Sequence, residues 1–394
     1  MSSYNSKFIL LRMGSSRDIL RLSPQMYNAL KQGNVKEVED LLKQGMDPDT
    51  TFSVMGGKKP ALCVAAEEGC AMIIQLLCSH HCSTAQLDKD GLSPLHIAAA
   101  KGFVEAVRVL IKNRAEVNRA AATSIQETPL LLACNNNNTG IISVLIRAGA
   151  EVNRRNSNGT TPLMSAADQG NVEAVRMLVE AGADVQARDR EGCTPLHRNA
   201  FSLRPRLKIV QMLCPSSEVS NLVNVQGYNS LMSIVSNDMP EFLKVDIVDY
   251  LIKMNCKLNT VSIVGATALH QACFRKNWNI VEKLIKAGAR TNIPCVLGRT
   301  TLCAVLERGQ FSLAEMMLAA GNPSQLSEGE KSKLGEEARK FLQVVNCTVK
   351  SLKFSCRSSI RRGIGEQGLH QKIDTIGLPL IINEYVKNLN PLGS

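Results

Sequence analysis

Apolar residues recur along the chain in short helical bursts separated by glycine and polar turns. Leu95, Ala98 and Ala99 lead to Gly102, and Val104, Val107, Leu110 and Ile111 follow on one helical face. Leu163 and Ala166 lead to Gly170 and then to Val172, Val175, Leu178 and Val179. The spacing predicts a pair of short helices, and the pair returns about every 33 residues. Its first helix opens at a Ser or Thr followed by Pro, as in Ser93-Pro94, Thr161-Pro162 and Thr194-Pro195. A hydroxyl there can accept a bond from an otherwise unpaired backbone N–H, and Pro suits the first helical turn. The second helix ends at Gly-Ala, as in Gly149-Ala150 and Gly182-Ala183, before a polar stretch that reads as a turn.

Unit starts at 24, 59, 93, 128, 161, 194, 229, 267 and 300 predict nine units over residues 24–323. One such pair cannot cover its own apolar face, so the units must stack on one another. Two places disturb the period. Arg204-Pro205-Arg206 interrupts the unit at 194, and Asn237-Asp238-Met239-Pro240 stretches the one at 229, so irregular stacking is expected over 200–260. The copies Ser93-Pro94-Leu95-His96-Ile97-Ala98, Thr194-Pro195-Leu196-His197 and Thr267-Ala268-Leu269-His270-Gln271-Ala272 resemble the ankyrin repeat, whose mark is Thr-Pro-Leu-His-x-Ala. The resemblance implies an all-α solenoid that serves as a binding surface.

Beyond Pro323 the period stops. Residues 324–349 read as a linker helix, 350–389 as a separate module and 390–394 as a tail; residues 1–23 read as an extension or cap. Leu352, Cys356 and Ile360 are four apart and form one helical stripe, and a Pro-started helix follows Leu378-Pro379. The residues alone leave two uses open for the stripe: the buried side of a helix on the last repeat, or a docking edge. Together the two segments resemble a SOCS box, a three-helix module, and the whole chain resembles the ankyrin-repeat and SOCS-box family. That resemblance implies a non-catalytic substrate receptor of a cullin-RING ubiquitin ligase. Leu352, Cys356 and Ile360 would bind elongin C, with elongin B beside it. Ile376, Leu378, Pro379 and Tyr385 would meet a cullin, of the five class in most of the family, which brings the RING subunit. Ile376-Gly377 stands where the family carries its first Leu-Pro. A protein substrate, unidentified, would sit on the repeats.

Composition narrows the alternatives. The chain has 394 residues, 44% hydrophobic and 21% charged, enough for real cores. Its net charge of +11 divides into +3 over 1–23, +4 over 24–323 and +4 over 324–394, which disfavours a basic arm for nucleic acid. The run Phe8-Ile9-Leu10-Leu11 stops at Arg12, too short for a membrane span or signal peptide. Thirteen Cys, placed as small core residues at Cys63, Cys134 and Cys273, fit a reducing compartment. A cytoplasmic location is expected, with the nucleus open as a second.

Candidate chemistry is sparse. His96, His197 and His270 recur at one repeat position and read as architecture, tying one turn to the next. Cys78-Ser79-His80-His81-Cys82 holds four zinc-type ligands with no second cluster to complete a site. Gly363-Ile364-Gly365-Glu366-Gln367-Gly368 matches a dinucleotide fingerprint but follows a helix, where a strand is needed. No cofactor, metal or catalytic group is expected. Arg119, Arg154, Arg155, Arg188 and Arg190 fall at near-equivalent turns and predict a row of positive tips, with two readings open: a solvated, solubilising surface, or a receiver for an acidic patch of the substrate. The rival reading is a plain ankyrin scaffold or inhibitor whose C-terminal helices only cap the solenoid.

Overall fold

The computed structural model describes residues 16–54, 57–319, 326 and 328–345. Its backbone divides into two compact units, Met1–Pro215 and Ser216–Ser394. The division falls in the stretch where the period is disturbed.

The first unit holds six helix pairs among the described residues. They are Ser16–Gln32 with Val35–Lys43, Ala61–Glu67 with Ala71–Ser79, Pro94–Lys101 with Val104–Lys112, Pro129–Asn135 with Thr139–Arg147, Pro162–Asp168 with Val172–Glu180, and Pro195–Phe201 with Leu207–Leu213. The second holds Ser230–Ser236 with Glu241–Lys253, Ala268–Phe274 with Trp278–Lys286, and Thr301–Leu306 with Phe311–Ala319. Caps start the first helices where expected. The Leu131 N–H donates to Thr128 Oγ1 at 3.3 Å, the Met164 N–H to Thr161 Oγ1 at 3.3 Å and the Cys303 N–H to Thr300 Oγ1 at 3.4 Å. First helices pack on their neighbours, as Pro162–Asp168 does on Pro129–Asn135 and on Pro195–Phe201, burying Leu163, Ala166 and Ala167.

Four features depart from the expected pattern. Pro24 lies inside the helix Ser16–Gln32 rather than at its start, so helix reaches back into the expected 1–23 extension. Proline removes one helical bond there, and burial of Met26, Ala29 and Leu30 holds the segment regardless. The all-α expectation also missed an antiparallel pair, Thr51–Val54 with Gly57–Pro60, in which Phe52 is buried edge-on against Tyr27 with ring centroids 5.3 Å apart. In the stretched unit, Lys244 is buried and its ammonium donates to the Val235 carbonyl at 3.4 Å and to that of Asn237. A cation thus closes the end of Ser230–Ser236, where carbonyls lack helical partners. Burial lowers the Lys244 pKa. Finally, residues 328–345 form two short helices, Glu328–Lys333 and 336–345, with Gly335 between them. Glu330 accepts from the Thr300 N–H and hydroxyl at 2.8 Å each, Leu334 and Ala338 are buried, and Phe341 packs on Phe311. These helices cover the last repeat.

Glycine at the turn tips is required by close approach. A Cβ on Gly265, at φ +69°, would stand 2.7 Å from the Val296 nitrogen; one on Gly288, at φ +88°, would meet nothing. Gly265→Ala is therefore expected to cost about 2 kcal/mol and Gly288→Ala about 1 kcal/mol, the difference being the collision between neighbouring tips. Urea unfolding of the two variants tests this, and equal costs would remove the collision from the account.

Candidate functional site

Second helices such as Val104–Lys112, Thr139–Arg147 and Glu241–Lys253 are followed by a turn whose tip reaches beside the tip of the next repeat. In four of the turns an Asp or Asn five residues before the capping position organises the tip. Asp88 Oδ1 accepts from the N–H groups of Asp90 and Leu92, Asn156 from those of Asn158 and Thr160, Asp189 from Glu191 and Cys193, and Asn224 from Gln226 and Tyr228, all at 2.8–3.0 Å. Adjacent tips are then joined through the backbone. The Arg190 N–H donates to the Asn158 carbonyl at 3.0 Å, and in the second unit Ile263 donates to Gln226 at 3.0 Å and Val296 to Val264 at 3.2 Å.

The histidines complete this framework. His96 Nε2 reaches the Glu127 carbonyl of the next repeat at 3.1 Å and its Nδ1 faces the Ser93 hydroxyl at 2.7 Å; His270 likewise spans Thr267 and the Arg299 carbonyl. Since a carbonyl only accepts, Nε2 carries the proton and Nδ1 is the acceptor. Burial lowers the His96 pKa to about 4, and that of His270 falls for the same reason. Both rings are structural and neutral.

In the first unit, tips and first helices enclose an open groove of about 460 Å³, lined by Asn158, Thr160, Asp168, Arg190, Glu191 and Arg198 among others. Its charged anchor is Arg198, whose guanidinium holds the buried Asp189 carboxylate at 2.5 Å and Glu191 at 3.0 Å. Asp168 lies at the end of Pro162–Asp168, where burial pushes its carboxyl above the ordinary range against the pull of Arg198. A second groove of about 340 Å³ runs on from Asp168 past Phe201, Leu203 and Arg204.

The five arginines read from the sequence divide by task. Arg119 Nη1 donates to the Ala85 carbonyl at 2.8 Å and Arg155 Nη1 to that of Arg188 at 3.2 Å, so both staple successive repeats. Arg154 pairs with Glu151 at 3.1 Å, and Arg188 Nε donates to the Gly192 carbonyl. Arg190 is exposed and lines the groove. Sequence reasoning passed over Asp189, Arg198 and Asp168. The turn acids carried a usable signal, the recurrence of Asp or Asn five residues before the capping hydroxyl.

Two clusters of ligand-type side chains come together among the described residues. Cys78 and Cys82 are 3.9 Å apart, but His81 occupies the left-handed position after the helix, at φ 64°, that Gly149 and Gly182 take elsewhere. Among the described residues, the group of three metal-type ligands within 4.8 Å of one another is Asp189, Glu191 and Cys193, and Arg198 already holds both carboxylates. Burial pushes the Cys273 thiol up to about 12, leaving it a protonated core residue. No helix among the described residues is long and apolar enough to cross a membrane. The residues expected to bind elongin and cullin, Leu352, Cys356, Ile360, Ile376, Leu378, Pro379 and Tyr385, lie outside the described residues, as does the glycine-rich 363–368.

Comparison with known proteins bears on the repeats. The human "Ankyrin repeat and KH domain-containing protein 1" is 36% identical over 102 residues, covering 26% of this chain and 4% of that protein. The rat "Ankyrin repeat and SAM domain-containing protein 6" is 27% identical over 132 residues, 33% of this chain and 15% of its own length. The human "Ankyrin repeat domain-containing protein 17" is 37% identical over 71 residues, 18% of this chain and 3% of its own. The chain thus spans a small part of these relatives. The family profile "Ankyrin repeats (3 copies)" matches residues 26–121, 121–189 and 241–326. With matches over more than half its length, paired helices capped by Thr-Pro and tips joined in a ladder, the chain belongs to the ankyrin-repeat family.

Proposed function

We propose that the repeats hold a protein partner and that residues 350–389 deliver it to an elongin–cullin–RING ubiquitin ligase. The chain contributes proximity, raising the concentration of a substrate lysine near the charged conjugating enzyme, and performs no chemistry itself. The first half of the reading rests on the repeat fold, a surface built for protein contact. The second half rests on the resemblance of the C-terminal sequence, with one structural observation in support. The helices within 328–345 already cover the last repeat through Glu330, Leu334, Ala338 and Phe341. The apolar stripe Leu352, Cys356 and Ile360 is therefore not needed as the cap that the plain-scaffold reading assigns to it. Leu352 would anchor in an apolar pocket of elongin C with Cys356 packed beside it.

Co-expression with elongin B and elongin C tests the assignment. The intact chain is expected to co-purify with both. Changing Leu352→Asp and Cys356→Asp together is expected to abolish the complex while leaving the thermal unfolding of the repeats unchanged. Co-purification that survives both changes would remove the ligase half and leave a repeat scaffold.

A further inference from the structure

The turn that follows the helix Ala71–Ser79 sets two sulfurs side by side. The Cys82 N–H donates to the Leu77 carbonyl at 3.2 Å and the His81 N–H to that of Cys78 at 3.0 Å. Ala115, Ala150, Ala183 and Ala289 make the bond of Cys82 in four other repeats, each to the leucine five residues back. Four residues before those alanines stand Ile111, Ile146, Val179 and Ile285. Plain hydrocarbon therefore fills both places elsewhere, and packing alone does not call for cysteine. In this repeat both places hold a thiol. The Cys82 thiol donates to the Cys78 sulfur across 3.9 Å.

Burial separates the roles of the two. Cys78 is half-buried beside the exposed Ser79, whereas Cys82 is only 8% exposed. A small oxidant meets Cys78 first. The hydrogen bond from Cys82 also holds the Cys78 thiol below its ordinary pKa. The same bond pushes the Cys82 thiol up, and burial and the nearby Asp49 carboxylate add to the rise. When the pair ionises, the charge settles on the outer sulfur and the proton stays on the inner one. Cys63, Cys134 and Cys273, by contrast, are raised by burial. An accessible thiolate with a second thiol behind it is the arrangement that reacts with peroxides and closes to a disulfide.

We propose that Cys78 and Cys82 are an oxidation site at which hydrogen peroxide converts the two adjacent thiols to an intramolecular disulfide. The Cys78 thiolate attacks one peroxide oxygen, the O–O bond breaks, and the departing hydroxide takes up a proton and leaves as water. The Cys82 sulfur then attacks the Cys78 sulfenic acid, and its proton leaves with the displaced hydroxyl as a second water. Two thiols lose two electrons and two protons, and one peroxide becomes two waters. The sulfurs close from 3.9 Å to about 2 Å. Cys82 is followed by Ser83, whose N–H is held by Asp49 Oδ1 at 2.7 Å, so oxidation acts at the joint between the first repeat and the second. The site does not depend on what the repeats bind.

The test treats the reduced intact chain with equimolar hydrogen peroxide in the presence of a chelator and then caps the remaining thiols with iodoacetamide. Tandem mass spectrometry is expected to place a disulfide between Cys78 and Cys82, formed about tenfold faster than free thiol is lost at Cys63, Cys134 or Cys273. Dithiothreitol is expected to reverse it. Two variants separate the roles, each installing a residue that equivalent repeats carry. Cys82→Ala is expected to stop at the Cys78 sulfenic acid, which dimedone traps, and Cys78→Val is expected to leave Cys82 reduced. Melting temperature checks that both fold, and the disulfide of the parent chain is read without either. Three results overturn the proposal: both thiols staying free, Cys78 joining another cysteine or another chain, or Cys82 oxidising as fast in Cys78→Val as in the parent.

Discussion

Replacing Asp189 with alanine is expected to lower the unfolding free energy by about 3 kcal/mol, and replacing it with asparagine by about 1 kcal/mol. Alanine removes three things at once: the acceptor for the Glu191 and Cys193 N–H groups, and the counterion of a half-buried Arg198. Asparagine keeps the turn, since Asn156 and Asn224 organise equivalent tips by the same two bonds. Only the ion pair is then lost, and Glu191 at 3.0 Å still faces Arg198. The check is a shift in the urea midpoint at unchanged slope. Equal losses for the two variants would place the whole effect in the ion pair and none in the turn.

The second large effect is acid lability centred on His96. Its pKa in the folded chain is about 4, against about 6.5 when the chain unfolds. Because the folded value is the lower one, the unfolded chain takes up the proton first. The stability due to neutral His96 is complete above about pH 6.5 and is lost as pH falls towards 4, at up to about 1.4 kcal/mol per pH unit and about 3 kcal/mol in all. Protonation turns Nδ1 from an acceptor of the Ser93 N–H into a donor aimed at it. His270 acts in the same direction. Glu127, raised by burial, opposes it, because it takes a proton in the folded chain before it would in the unfolded one. His96→Gln isolates the contribution. Melting temperature measured from pH 7 to 4 is expected to fall less in the variant than in the parent, and parallel curves would refute the role given to this ring.

Much of the fold is legible in the residues because its determinants are local. Thr161-Pro162 sets where a helix begins whatever surrounds it, and Gly182 sets where one ends. Pro24 misleads for the complementary reason: its local preference for a helix start is overridden by burial of Met26 and Leu30, which only the packed neighbours reveal. Lys244 is similar, a charged residue whose place in the interior depends on two carbonyls that an inserted loop leaves open. At the tips, charge was legible and its pattern was not. A net +4 over residues 24–323 conceals a nearly neutral stretch followed by a basic one. Which arginines join successive repeats was hidden as well, because Arg119 and Arg155 look like Arg190 in sequence but are engaged by carbonyls one repeat away.

The cysteines have a practical consequence. Cys63, Cys134, Cys256, Cys273 and Cys303 sit in five different repeats, all buried and reduced. A repeat array parts locally, its ends and weak joints opening more often than its middle. A thiol reagent reaches each sulfur only while its own repeat is open, so the order in which these positions are alkylated maps where the stack loosens. The chain carries its own strain gauges, spaced along its length without any engineered label.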